Sequence, residues 1–141
     1  MILHSSVERI GLGQAKFLRF EEERVWSGLL ASLRYALPCP NCKKHYSDFY
    51  ASHPIRDYSR ESLRDWLFQL HQKINNEHGK PAPFTIEQLP EFYGKPFHYS
   101  SFLQTVQHHM KLAVFHRWCS REDVQRSLRF LEEIKRVYDF F

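Results

Sequence analysis

Long hydrophobic runs are missing from these 141 residues, and no stretch approaches the roughly 18 consecutive apolar residues that a membrane-spanning helix needs. Glycine and proline are sparse, at five and seven, which excludes collagen-like and low-complexity chains. Three cysteines are too few for a disulfide-stapled secreted scaffold, and the odd number leaves one over. Charge of one sign is also lacking. Twenty Lys and Arg stand against 16 Asp and Glu, and the signs mix in runs such as Arg121-Glu122-Asp123 and Glu132-Glu133-Ile134-Lys135-Arg136. A nucleic-acid binder concentrates its basic residues on one face, whereas the densest basic group here is only Lys43-Lys44. Neither a nucleic-acid nor a membrane partner is therefore expected. No basic segment followed by an apolar run opens the chain, so no signal peptide is expected and the expected location is cytoplasmic.

What is present is a 43% apolar fraction, rich in Phe and Tyr, within the length of one ordinary domain. Such a chain buries roughly two-thirds of its unfolded surface, enough for a core without staples. The periodicity is helical almost throughout. From about Gln14 to Leu37, the residues Trp26, Leu29, Leu30, Leu33 and Leu37 recur at intervals of three and four, the mark of one buried stripe. Pro38 and Pro40 end that helix and suit the first turn of the next, which runs to about Ser52. A third helix is predicted from about Arg60 to His78, with Ser59 at its start, Gly79 and Pro81 at its end, and a stripe of Leu63, Trp66, Leu67, Leu70 and Ile74. Residues 81 to 98 hold four prolines and read as a connecting loop. A fourth helix from about Ser100 to Arg117 carries Leu103, Val106, Met110 and Val114. A fifth, capped by Ser120, carries Val124, Leu128, Leu131, Ile134 and Val137. No period of two survives, so the expected architecture is an all-α bundle of four or five helices in one domain spanning 1–141.

The chemistry centres on Leu37-Pro38-Cys39-Pro40-Asn41-Cys42-Lys43-Lys44-His45. A Cys-x-x-Cys at a helix start suits redox work, because unpaired amides and the helix dipole stabilise a thiolate there. The same residues also suit zinc, with Cys39, Cys42 and His45 as three ligands, or simply two neighbouring thiols without chemistry. The third helix adds Trp66, then His71 and Asn75 four residues apart and so on one face, with Lys80 just beyond its end. A ring, an imidazole, an amide and a flexible cation in that order suit an adenine followed by a pyrophosphate. His108-His109, adjacent and so on different sides of a helix, do not read as a metal site.

Cys39-Pro40-Asn41-Cys42 with His45, followed about thirty residues on by Trp66-Leu67 and His71-x-x-Ile74-Asn75-x-x-x-Gly79-Lys80-Pro81, resembles the FAD-linked sulfhydryl oxidases of the Erv/ALR type. The resemblance covers residues 24 to 84. It is closest to the compact versions of large cytoplasmic DNA viruses, which share a Leu-Pro-Cys-Pro-x-Cys segment. It implies a four-helix bundle around FAD; residues 98–141 lie beyond the resemblance, and their stripes read as a C-terminal helical extension packed on the bundle. It also implies that a dithiol protein attacks Cys39, that Cys42 lies beside the flavin, and that electrons pass through FAD to molecular oxygen as hydrogen peroxide. His71, Asn75 and Lys80 match the family's FAD-binding positions, with Trp66, His45, Phe84 and His4 as further cofactor contacts. The family's opening Trp-x-x-x-His helix is matched only by Leu3-His4, its tryptophan falling before Met1. Ala51 and Phe68 stand where many members carry an extra cysteine pair, and Cys119 has no partner in the chain. A homodimer, a thioredoxin-like carrier as substrate, and a host cytoplasm or virion as location are family expectations. The rival reading is a zinc-stabilised helical interaction module without catalysis.

Overall fold

A computed structural model describes residues 2–11, 19–80, 84–138 and 140. Among these the chain is all-α, with α1 (Ile2–Val7), α2 (Arg19–Ala36), α3 (Pro40–Ser52), α4 (Arg60–Glu77), α5 (Leu89–Tyr93), α6 (Tyr99–Phe115) and α7 (Arg121–Val137). The start expected at Gln14 for the helix observed as α2 lies outside the described residues, as do Pro81 and Pro83.

The stripe on α2 builds the core. Val25, Trp26, Leu29, Leu30, Leu33 and Ala36 are all buried, and three- and four-residue spacing puts them on one side of the helix. Along that side runs α7, with Val124, Leu131 and Ile134 buried; α2 and α7 are the most extensively packed pair. Helices α6 and α7 are thus part of the same core, with α6 packed on α7. Gly28 permits the close approach, since a Cβ there would stand 2.3 Å from Phe130 Cζ.

Helix boundaries follow the local chemistry. Ser59 Oγ accepts from Ser62 N at 3.2 Å and Ser120 Oγ from Asp123 N at 3.1 Å, each satisfying an amide that the first turn leaves unpaired. Helix α4 ends with Gly79 at φ +65°, which lets Gly79 N reach Asn76 O and Lys80 N reach Asn75 O. Residues 81 to 98 depart from the simple loop expected of them. A 3₁₀ turn at Ile86–Gln88 leads into α5, whose Pro90 occupies the first turn, where a missing amide costs nothing. The opening residues form a short helix of their own, α1, which carries the Leu3-His4 pair.

Two side chains fasten α1. Arg64 on α4 grips the buried Glu8 carboxylate through Nε and Nη2, both at 2.7 Å. Arg9, also buried, donates to Tyr93 O and Lys95 O at 2.6 Å, and its guanidinium lies over the Phe140 ring. Its five N–H groups suit this role, since one rigid fork can satisfy carbonyls from several segments. Together they hold α1 between α4 and the α5–α6 connection.

Between α2 and α7, Ser32 Oγ donates to Leu29 O at 2.7 Å, so the 2.6 Å contact with Ser127 Oγ has Ser127 as donor. Both residues are buried. Ser32→Ala removes the acceptor of a buried hydroxyl and is expected to cost about 1–3 kcal/mol. Ser32→Ala/Ser127→Ala should cost less than the sum of the single changes, as measured by urea unfolding; additive costs contradict the pairing.

Candidate functional site

Pro38 cannot extend α2, and Pro40 is preset for the first turn of α3, so the break falls on Cys39. Cys39 is the N-cap of α3, with φ −142° and ψ 130°, and its Sγ accepts from Cys42 N at 3.3 Å. The Cys39 thiol is lowered from its ordinary value, first by a hydrogen bond from the Cys42 side chain and then by the Cys42 and Asn41 amides. Cys42 reaches solvent, yet partial desolvation of its thiol, followed by the hydrogen bond and charge of Cys39, pushes it up to about 11. Of the reduced pair, Cys39 is therefore the sulfur that gives up its proton more readily and Cys42 the one that holds it. This asymmetry is the property that thiol–disulfide exchange exploits.

His45 lies three residues beyond Cys42 and shares its side of α3. Its Nδ1 stands 2.9 Å from Glu77 Oε2, and its ring meets His78 edge-on at 6.3 Å. The Cys42 side of α3 is therefore turned toward the C-terminal end of α4. Among the described residues no group of three or more His, Cys, Asp or Glu side chains is gathered to hold a metal ion. His45, the expected third zinc ligand, is turned to Glu77 instead.

Two hollows flank α4. One, of about 220 Å³, is lined by His4, His71, Asn75, Phe84 and Tyr93 among others. The other, a more open groove of about 440 Å³, runs past Lys73, Asn76 and Glu77, and Gln72 borders both. In the first, His4 Nε2 and His71 Nδ1 are 2.8 Å apart, and the His4 ring stacks on Tyr93 with centroids 4.8 Å apart. Removal from water, reinforced by the charge of His71, lowers His4 to about 3. His71 is lowered too, by removal from water and then by the N-terminal charge. Both rings are therefore neutral near pH 7, leaving one N–H to donate across the pair. A cavity that couples neutral imidazoles with an amide and aromatic faces suits a planar heterocycle.

The residues singled out from the sequence fall into three groups. His4, His71, Asn75 and Phe84 meet in the cavity. Cys39, Cys42 and His45 stand together on the first turns of α3, and Lys80 lies exposed just past the end of α4. Trp66 goes elsewhere: it is buried against Tyr46, Phe49 and Tyr50, and its Nε1 donates to His53 O at 2.8 Å. Tyr93 and Leu89, which line the cavity from α5, were not foreseen, because a five-residue helix shows no periodicity.

Fold and site together define a class, an all-α bundle with a Cys-x-x-Cys pair on the N-terminus of one helix and a polar, aromatic cavity against another. The sequence model described as "Erv1 / Alr family" matches residues 5–94, and the chain belongs to that family. It is 38% identical over 64 residues to a probable FAD-linked sulfhydryl oxidase of Acanthamoeba polyphaga mimivirus, across 41% of this chain and 45% of the relative. It is 27% identical over 67 residues to an FAD-linked sulfhydryl oxidase of Oryza sativa subsp. japonica, across 48% of this chain and 34% of the relative. The chain thus matches less than half the length of either relative. No solved structure matches it significantly.

The neutral histidine pair makes stability sensitive to acid. His4 takes up protons in the unfolded chain near pH 6.5 but in the folded protein only near 3, so its contribution is intact above about 6.5 and declines as pH falls toward 3. His4→Gln, which removes this titration, should flatten the fall in Tm between pH 7 and 4.5 relative to the unsubstituted protein. An equal fall in both contradicts the account.

Proposed function

We propose that the protein is an FAD-dependent thiol oxidase that forms disulfide bonds in protein substrates, with Cys39 and Cys42 as its reactive pair. The observation that carries this reading is the asymmetric Cys39–Cys42 pair on the N-terminus of α3, its Cys42 side facing the end of α4. The FAD linkage named for both relatives supports it, as does the chemistry of the residues along α4. His71, Asn75, His4 and Phe84 would hold ring systems of the cofactor, and Lys80 would answer its phosphates. His45 would orient the end nearest Cys42, while Trp66 stiffens the wall formed by α3 and α4. Gln72 borders both hollows, so the cofactor's ring systems would lie against α4.

In the oxidised protein a substrate thiolate attacks Cys39 Sγ. The Cys39–Cys42 bond breaks, and Cys42 leaves with the electron pair. A second substrate thiolate then attacks the substrate sulfur of the mixed disulfide, closing the substrate's own disulfide and releasing Cys39 as a thiolate. The amides of Asn41 and Cys42 stabilise that thiolate, and Cys42 takes up a proton. When bound, FAD supplies the two-electron acceptor that restores the disulfide, with oxygen as final acceptor and hydrogen peroxide as product. A homodimer and a thioredoxin-like carrier as substrate belong to this reading as family expectations.

Oxygen consumption with dithiothreitol tests the proposal. Cys39→Ser and Cys42→Ser should each lower turnover at least 100-fold while leaving bound flavin unchanged. Flavin-loaded protein that consumes no oxygen points to a non-catalytic binding role. Colourless protein carrying about one zinc per chain points to the interaction module instead.

A further inference from the structure

The turn between α6 and α7 lies outside the family-matched segment and beside the reactive pair. Two bonds fasten it there. Lys43 Nζ donates to Trp118 O, and the buried Cys119 Sγ donates to Leu37 O at 3.2 Å, two residues before Cys39. The turn presents large apolar side chains to solvent: Phe115 is 80% exposed, Trp118 43% and Leu112 41%. The Trp118 ring stacks on His116 with centroids 4.8 Å apart. Leu112 and Phe115, three residues apart on α6, form one continuous apolar side.

The backbone of this turn carries a cost. Arg117 sits at φ +61° in the left-handed region, at the helix-ending position that glycine usually fills. Its amide bonds Val114 O and the Trp118 amide bonds Ala113 O, the same closure that Gly79 makes on α4. Here a cation stands in place of glycine, next to an exposed indole. Lys43 and Lys44 on α3, Lys111 one turn before Phe115, and Arg121 at the start of α7 add further positive charge. Of the carboxylates just after the turn, Asp123 is paired with Arg126 at 3.6 Å and Glu122 is exposed; on α3, Asp48 is exposed one turn beyond Lys44.

We infer that the Phe115–Trp118 turn is a docking lip for the protein substrate, selecting a dithiol segment that carries an aromatic or large aliphatic side chain and acidic residues beside its cysteines. The inference rests on the thiol-oxidase reading and deepens it. The occupant is a substrate chain because the lip is bonded to the residues that lead into Cys39 and to Lys43, next to Cys42, so whatever rests on it is delivered to the reactive sulfurs. Arg117 in the turn and Lys43 bonded to it fix the charge of that occupant, since opposite charge speeds encounter and like charge rejects wrong partners. The exposed rings give it an apolar anchor. A small dithiol reaches the pair without touching the lip.

The test uses three substrates with the flavin-loaded protein: dithiothreitol, a Cys-x-x-Cys peptide flanked by Phe and Asp, and the same peptide flanked by Ser and Lys. The unsubstituted protein should favour the first peptide by about tenfold in kcat/KM. Phe115→Ala/Trp118→Ala should erase that preference, mainly through KM, with dithiothreitol turnover within twofold. Arg117→Gly relieves the backbone, so it should raise Tm while still weakening the preference. Retention of the preference in all variants overturns the inference, as does equal loss of peptide and dithiothreitol turnover. A change in molecular mass on Phe115→Ala/Trp118→Ala also overturns it, since the lip would then be covered by a second copy of the chain. Dithiothreitol turnover without peptide preference in the unsubstituted protein brings down the lip alone. Inertness toward dithiothreitol brings down the oxidase reading and the lip with it.

Discussion

The chemistry proposed for this molecule depends on the unpaired amides at the start of α3. A helix cannot satisfy its own first N–H groups, and here the group that answers them is the sulfur of Cys39. Pro38 and Pro40 force the break onto that residue, and Tyr46, whose hydroxyl donates to Leu30 O, locks α3 against α2. Sulfur is a weaker acceptor than the oxygen of Ser or Asp, the residues that usually cap. The cap therefore serves the thiolate as much as the helix. A pair built on identical side chains becomes unequal because one sulfur receives amides and the other is partly desolvated.

The remaining helices assemble the rest of the site. Helix α4 is anchored to α1 through Glu8 and Arg64, and α1 to the α5–α6 connection through Arg9. The result is a contact between His4 and His71, 67 residues apart in sequence, which neither helix could arrange alone. On the other side, α7 completes the core along α2 and carries the α6–α7 turn to the approach of Cys39. The C-terminal helices thus contribute both to stability and to the surroundings of the site.

Much of the architecture was legible because it rests on local rules. The stripes on α2 and α4, the caps at Ser59 and Ser120, and the stop at Gly79 need only spacing and turn chemistry. The two site motifs were legible for the same reason, since Cys39 and Cys42, or His71 and Asn75, are neighbours on one helix. What could not be read depends on contacts between distant segments. Helix α5 is too short for a period and sits among prolines, so Tyr93 gave no sign that it would stack on His4. Trp66 belongs to a stripe in which core and ligand positions look alike, and only the packing of Tyr46, Phe49 and Tyr50 shows what surrounds its ring. The exposure of Phe115 and Trp118 likewise follows from where α7 turns back.

The central claim is that electrons enter through Cys39 and Cys42 and leave through a bound flavin. The most direct measurement is the visible spectrum of the purified protein, first under anaerobic dithiothreitol and then after air is admitted. The account predicts a flavin spectrum that bleaches with the dithiol and returns with oxygen. A protein that stays colourless when supplied with FAD, or a flavin band that dithiol leaves untouched, contradicts it.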